Sequence, residues 1–325
     1  MYSTSKIGGT KDMDYVLLLI GFVLLIKGAD FFVDGASSIA KTLKVPSLII
    51  GLTIVAFGTS APELAVSITS ALNGQNGIAV GNVVGSNIFN TLMVVGVAAM
   101  IYPLTVKKSV LFKEFPFTVL SGIVLFILAI DVFMESGTTN ILSRTDGAML
   151  LIFFCIFMYY LIESALKARD SEEEEINAIP LWKSIVFSVV GIIGIIFGGD
   201  MVVDSATNVA LSLGMSETLV GLTIIAIGTS LPELVTSVVA AKKGESDIAL
   251  GNVIGSSIFN VFLILGVSSV LHPIELSGPI IIDIFIMIIV TLITFAFSIN
   301  KRINRIEGGA LVAGYIAYMA YIIMR

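Results

Sequence analysis

The chain has 325 residues, 56% hydrophobic and only 13% charged, with a mean hydropathy of +1.02. A soluble domain of this length would carry about a quarter charged residues, so the composition excludes the water-soluble classes and reads as a membrane protein. The net charge of −6 says little about partners, because orientation in a bilayer follows where Lys and Arg sit and not their sum.

Ten apolar stretches are each long enough to cross a bilayer, which takes about 20 helical residues. They cover roughly 14–38, 46–72, 77–101, 115–134, 145–168, 180–208, 216–241, 247–271, 278–298 and 307–324. The N-terminal MYSTSKIGGTKDMDY has no compact signal-peptide pattern and runs into a full span, so no cleavage is expected. The one cysteine, Cys155, lies in the apolar run 150–162 and reads as a core or lipid-facing side chain. The one histidine, His272, precedes Pro273 at a helix end and reads as a loop residue. The longest hydrophilic stretch, 167–177, contains Asp170 and the run Glu172 to Glu175 and is expected to be a solvated loop.

The connections after the first, third, fifth, seventh and ninth spans carry thirteen Lys and Arg, including Lys41, Lys107, Lys167, Lys243 and Arg302; the opposite side carries four: Lys6, Lys11, Arg144 and Arg325. The positive-inside rule then places both termini outside the cytoplasm.

Residues 51–96 and 221–266 match at a constant offset of 170, with 25 of 46 positions identical. Gly28 and Asp30 pair with Gly198 and Asp200 at the same offset, and Pro103 with Pro273. The chain is an internal duplication with five spans per half. Five is odd, so the second half enters the bilayer from the opposite side. The expected fold is an all-α polytopic membrane protein of ten helices in two inverted repeats, residues 1–170 and 171–325. Inverted repeats are a signature of secondary transporters.

Glu63 and Glu233 each lie well inside a long apolar span. A carboxylate at that depth is costly and faces a cavity or the bundle interior; two at symmetric positions should meet, where they can share a proton or neutralise a cation. Gly58-Thr59-Ser60 and Gly228-Thr229-Ser230 precede them, followed by Pro62 and Pro232. Proline inside a helix removes one backbone hydrogen bond, and carbonyls freed beside a cavity are cation ligands. The next spans carry Gly81-Asn82 with Ser86 and Asn90, and Gly251-Asn252 with Ser256 and Asn260. Ser86 and Asn90 share one helix face, as do Ser256 and Asn260. Glycines 81, 85, 251 and 255 are expected to permit close helix approach. The ligand set is hard oxygen, without His or Cys, which suits Ca²⁺ or Na⁺ better than a transition metal. Asp30 and Asp200 fit either an entry path or a helix break, and Lys27 stands one turn before Asp30. No nucleophile–base pair accompanies the carboxylates, so an enzyme is not expected.

At these paired GTS-x-PE and GN-x₂-GS-x-IFN segments the sequence resembles the cation/calcium antiporter superfamily, specifically the prokaryotic sodium/calcium exchangers, over essentially its whole length. The resemblance implies that Glu63 and Glu233 bind Ca²⁺ directly, helped by the side chains of Thr59 and Thr229. It implies that the carbonyls of Ala56 and Ala226, with Ser86 and Ser256, help hold flanking Na⁺. Ser60 and Ser230 would be supporting hydroxyls, and Asn90 would border the middle position. Asn260 departs from relatives that carry aspartate there, which makes potassium cotransport a poor expectation. The expected activity is electrogenic, K⁺-independent exchange of Na⁺ for Ca²⁺ by alternating access across the plasma membrane. A Ca²⁺/H⁺ antiporter using the same glutamates is the alternative. The expected partners are Ca²⁺ and Na⁺ as substrates and the lipid bilayer, with no cofactor and no nucleic acid; the sequence leaves the oligomeric state open.

Overall fold

A computed structural model describes residues 11–134, 139–169, 179–215 and 226–324. The main helices are α1 (Lys11–Leu43), α2 (Ser47–Thr59), α3 (Ala61–Leu72), α4 (Asn76–Ile101), α5 (Val110–Leu128), α6 (Arg144–Arg169), α7 (Leu181–Ser212), α8 (Ala226–Gly228), α9 (Leu231–Lys242), α10 (Ser246–Leu271), α11 (Gly278–Ser298) and α12 (Arg305–Met324). Among the described residues, eight of these are long and apolar enough to cross a membrane. The α2–α3 pair, bent by 50°, makes a ninth candidate. The seventh expected span is described from Ala226 onward, and its part at 216–225 lies outside the described residues, as does most of the acidic stretch at 170–178. The fold is therefore an all-helical polytopic membrane fold.

The fourth span is displaced from its expected position at 115–134. It runs over Val110–Leu128 because a π-helical turn at Val110–Glu114 leads directly into Phe115. Lys113 and Glu114 look like a polar flank in the sequence. Glu114 is instead 2% exposed and accepts a hydrogen bond from Tyr160 Oη at 2.6 Å, so the helix carries it inside the protein.

α1 and α7 have 33 and 32 residues, roughly 50 Å of helix each, well beyond the ~30 Å of a bilayer's apolar core. They lie antiparallel along most of that length. Gly21 meets Gly198, Gly28 meets Gly191, and Gly35 meets Ser184 and Ser188. A Cβ added to Gly28 would stand 2.7 Å from the Ile195 amide nitrogen and 2.8 Å from the Gly191 carbonyl oxygen. Backbone thus rests on backbone, the arrangement small residues permit between helices in lipid.

Two short antiparallel ladders tie the halves together. β1 (Leu104–Thr105), which follows α4, pairs with β4 (Arg302–Ile303), which precedes α12. β2 (Asn140–Leu142), which precedes α6, pairs with β3 (Ile274–Leu276), which follows α10. Each half lends its loop after the third span to the loop before the other half's last span.

The tight corners between α3 and α4, and between α9 and α10, each need a residue in the left-handed region. Gly74 (φ 71°) and Gly244 (φ 80°) supply it without a Cβ penalty. The expected close approach holds at Gly255 and Gly251: a Cβ on the first would lie 2.6 Å from that of Ala56, and one on the second 2.8 Å from the Leu48 carbonyl, so α10 is wedged against α2. Residues 216–225, which stand to Gly81 and Gly85 as 46–55 stand to Gly251 and Gly255, lie outside the described residues.

Gly28→Val should force the α1–α7 seam apart and lower stability by about 1–3 kcal/mol, the usual cost of overpacking. Gly309→Ala, whose added methyl meets no described atom within 4 Å, should be close to neutral. Thermal unfolding of both variants in detergent checks this, and equal melting temperatures would contradict the seam.

Candidate ion-binding site

The site is built where α2 and α8 end and α3 and α9 begin. Proline suits the first turn of a helix, where its missing N–H costs nothing, and Pro62 and Pro232 occupy that turn in α3 and α9. Ser60 and Ser230 are the residues before those helices. A serine there normally caps the helix with its hydroxyl. Neither does so. Ser60 Oγ donates to Glu233 Oε1 at 3.0 Å, and Ser230 Oγ donates to Glu63 Oε1 at 3.1 Å. Each serine has given up its local role to reach the acid of the other half.

Glu63 and Glu233 are both 0% exposed and lie in the first turns of α3 and α9. The positive end of the helix dipole supports a carboxylate in that place. Ser86 Oγ of α4 lies 3.4 Å from Glu63 Oε1, Ser256 Oγ of α10 lies 3.4 Å from Glu233 Oε1, and Ser230 Oγ bonds Ser86 Oγ at 3.0 Å. The second oxygen of each acid, Oε2, is buried without a partner. So are both side-chain polar atoms of Asn90 and the Oδ1 of Asn260. Buried polar atoms normally find hydrogen bonds. A cluster of mostly oxygen atoms left without them is a cradle for something polar that is small enough to enter.

The backbone around the site is irregular on both sides. π-helical turns occupy Gly51–Val55, just ahead of Ala56, Asn90–Val94, and Phe259–Leu265, which contains Asn260. Such turns recur at functional sites because they expose carbonyls. The Ala56 carbonyl accepts the Ser60 N–H at 3.0 Å and lies 3.5 Å from Ser256 Oγ. Thr59 Oγ1 lies 2.9 Å from Asn252 Oδ1, and Thr229 Oγ1 lies 3.4 Å from Asn82 Oδ1. Glu63, Glu233, Thr59, Ser60, Ser230, Ser86, Ser256, Asn90 and Asn260 are all fully or nearly fully buried at this junction. Thr229 is only partly buried. Ala226 opens α8, and its side chain lies outside what the structure describes.

Three further residues enter the network. Ser67 and Ser237 accept from Asn82 Nδ2 and Asn252 Nδ2, each at 2.9 Å. Asn87 Oδ1 accepts from Asn260 Nδ2 at 3.0 Å. Both serines stand four residues after their glutamate, on the same helix face, and both are identical across the repeat, a signal present in the sequence. Asn87 has Ser257 as its repeat mate, so the duplication conceals it.

Asp30 and Asp200 stand apart from the site. Lys243 Nζ lies 3.3 Å from Asp30 Oδ1 and 2.7 Å from Asp34 Oδ1; Lys27 lies 3.7 Å from Asp30. Ser37 Oγ donates to Glu245 Oε1 at 2.8 Å. α1 is thus fastened to the α9–α10 corner. The repeat mates of these residues are Asp200, Asp204 and Thr207 on α7, and Asn73 and Gln75 at the α3–α4 corner. Among the described residues no basic side chain pairs with Asp200 or Asp204, and Thr207 Oγ1 is buried without a partner.

Among the described residues no group of three or more His, Cys, Asp or Glu assembles anywhere. What converges is two carboxylates ringed by hydroxyls, amides and carbonyls, within an all-helical membrane fold. These features define an ion-transport protein. The chain belongs to the sodium/calcium exchanger protein family, whose sequence profile matches residues 13–163 and 183–324. It is 39% identical over 318 residues to the putative antiporter CaxA of Alkalimonas amylolytica, covering 93% of this chain and 96% of that one. It is 34% identical over 346 residues to the sodium/calcium exchanger MaX1 of Methanosarcina acetivorans, covering 94% and 97%. A solved structure of the sodium-calcium exchanger NCX_Mj, soaked with Na⁺ and Sr²⁺, superposes with a TM-score of 0.83 at 33% identity, covering 96% of this chain and 99% of that one.

Ca²⁺ at about 100 times its dissociation constant should stabilise the folded protein by ~2.7 kcal/mol. Glu63→Gln and Glu233→Gln should each abolish most of that gain, read as the loss of a Ca²⁺-dependent rise in melting temperature.

Proposed function

We propose that this chain is a plasma-membrane antiporter that exchanges Na⁺ for Ca²⁺ through one central site. The observation that carries the reading is the reciprocal pair Ser60–Glu233 and Ser230–Glu63, which brings two fully buried acids from the two copies of the repeat to one place. Two carboxylates balance the charge of one Ca²⁺. Oε2 of each acid, with the hydroxyls of Thr59 and Thr229, supplies the hard, flexible ligand set that Ca²⁺ takes. Several Na⁺ spread over the same carboxylates and the neutral oxygens around them: the Ala56 and Ala226 carbonyls, Ser86 and Ser256. Ser60 and Ser230 support the acids, and Asn90 and Asn260 border the middle of the pocket. With neither ion bound, two desolvated acids face each other uncompensated, and breaking such compensation is expensive. That cost disfavours an empty turnover and enforces exchange.

The two halves are read as inverted five-span repeats. The antiparallel α1–α7 seam supports this, because those helices are the first spans of their halves. The ladders support it too: the loop after one half's third span shares a membrane face with the loop after the other half's fourth. On this reading both termini lie outside the cytoplasm, and the β1–β4 end, rich in Lys and Arg, faces inward. α1 and α7 share a backbone seam with no room for slippage into side-chain gaps, so they slide as a unit over the rest and alternately open the site to each face. Exchange of about three Na⁺ for one Ca²⁺ would move net charge, worth ~2.3 kcal/mol per charge per 100 mV. Neutral Asn260 leaves K⁺ without a dedicated acid.

Uptake of ⁴⁵Ca²⁺ into Na⁺-loaded vesicles should be fast, collapse when the Na⁺ gradient is removed, accelerate with an inside-positive potential, and be indifferent to K⁺. Uptake driven by a pH gradient without Na⁺ would overturn the reading in favour of proton exchange. The Lys243 fastening closes the β1–β4 end, and partly exposed ion pairs are worth about 0.2–1 kcal/mol each. Lys243→Gln should therefore shift the Ca²⁺ half-saturation ratio between the two faces by roughly two- to fivefold, towards tighter binding from the cytoplasm. Right-side-out and inverted vesicles measure it.

A further inference from the structure

Asn82 and Asn252 touch no carboxylate oxygen, yet each sits at the crossing of the two halves. Asn252 is 0% exposed. Its Nδ2 donates to the Glu233 carbonyl oxygen at 3.4 Å and to Ser237 Oγ at 2.9 Å; its Oδ1 receives Thr59 Oγ1 of the other half at 2.9 Å. Asn82 repeats the pattern with the Glu63 carbonyl at 3.2 Å, Ser67 Oγ at 2.9 Å and Thr229 Oγ1 at 3.4 Å. A backbone carbonyl can only accept, so each amide must turn its NH₂ towards its own half and its oxygen towards the threonine of the other.

A threonine hydroxyl has one proton to give. Thr59 Oγ1 lies 3.1 Å from the Val55 carbonyl, 3.3 Å from the Ala56 carbonyl and 2.9 Å from Asn252 Oδ1, and it also reaches the Glu233 carboxylate. Bonding back to the preceding turn is the ordinary habit of threonine in a helix. Here that habit would place a proton on the carbonyl face where a cation needs a lone pair. Asn252 offers the shorter alternative. With the proton drawn towards α10, the carbonyls of Val55 and Ala56 keep their lone pairs, and the hydroxyl turns its own lone pairs away from α10.

We infer that Asn252, and Asn82 more weakly, are positioning residues that hold the threonine protons out of the ion pocket and so set how well it takes Na⁺ relative to Ca²⁺. Na⁺ relies on neutral oxygens once the two carboxylates are shared among several ions. Ca²⁺ is held chiefly by the two carboxylates, with the threonine hydroxyls as minor neutral ligands, whereas Na⁺ depends on the Ala56 carbonyl whose lone pair the threonine proton would occupy, so the proton's direction weighs less on Ca²⁺. The longer Thr229–Asn82 contact, at 3.4 Å, gives that half the smaller effect. This inference rests on the reading that Glu63 and Glu233 hold the transported ions.

The test is Asn252→Leu, similar in shape and without polar atoms, in the purified full-length protein, with half-saturating Na⁺ and Ca²⁺ measured separately from the maximal exchange rate. Half-saturating Na⁺ should rise about tenfold, the scale of one well-placed hydrogen bond, with Ca²⁺ shifted much less. Asn82→Leu should move Na⁺ in the same direction by a smaller factor, and it serves as the readout should Asn252→Leu fail to fold. In a Thr59→Val background Asn252→Leu should add nothing further for Na⁺, since the proton it directs is gone. Equal losses for both ions, or an Asn252→Leu effect that persists in full without the Thr59 hydroxyl, would overturn the inference and leave the asparagine a packing residue. If wild-type protein shows no competition between Na⁺ and Ca²⁺, the reading of the site fails first.

Discussion

Two fully buried carboxylates, with no Lys, Arg or His in contact among the described residues, are the constraint around which this molecule is arranged. An uncompensated charge at that depth costs several kcal/mol or more. The protein meets the cost with partial charges, not full ones. Each acid occupies a helix N-terminus opened by a proline, and each receives serine hydroxyls from two directions. Those devices suffice to keep the acids in place and fall short of neutralising them. The remaining demand for positive charge is what supports the proposed reading of the site as a carrier of cations.

The periphery follows from that centre. On the proposed exchange mechanism the site is reached from either face in turn, so the elements that cover it move while those that form it stay rigid. The strand ladders and the buried α10 hold the forming elements together. The glycine seam makes α1 and α7 one covering body. The fastening of α1 to the α9–α10 corner by Lys243 has no counterpart on α7 among the described residues, because Asn73 stands where a lysine would be required. This one charged fastening is where the two halves differ.

Much of this was legible in the sequence, because duplication repeats each signal. The constant offset of 170 singled out Glu63, Glu233 and their serine and threonine neighbours, and burial at membrane depth gave the physical reason. Two things were not legible. The start of the fourth span was hidden because Glu114 looks like a solvated flank until Tyr160 is seen to bond it. The reach of Ser60 and Ser230 across the halves could not be read either, since a serine before a helix ordinarily caps it.

That exchange of serines makes the two copies of the repeat interdependent. Neither copy contains both an acid and the cross-reaching hydroxyl that steadies it: Glu63 depends on Ser230, and Glu233 on Ser60. Either copy standing alone would hold half of this constellation, so a change in how the copies pack against each other is felt at both acids at once.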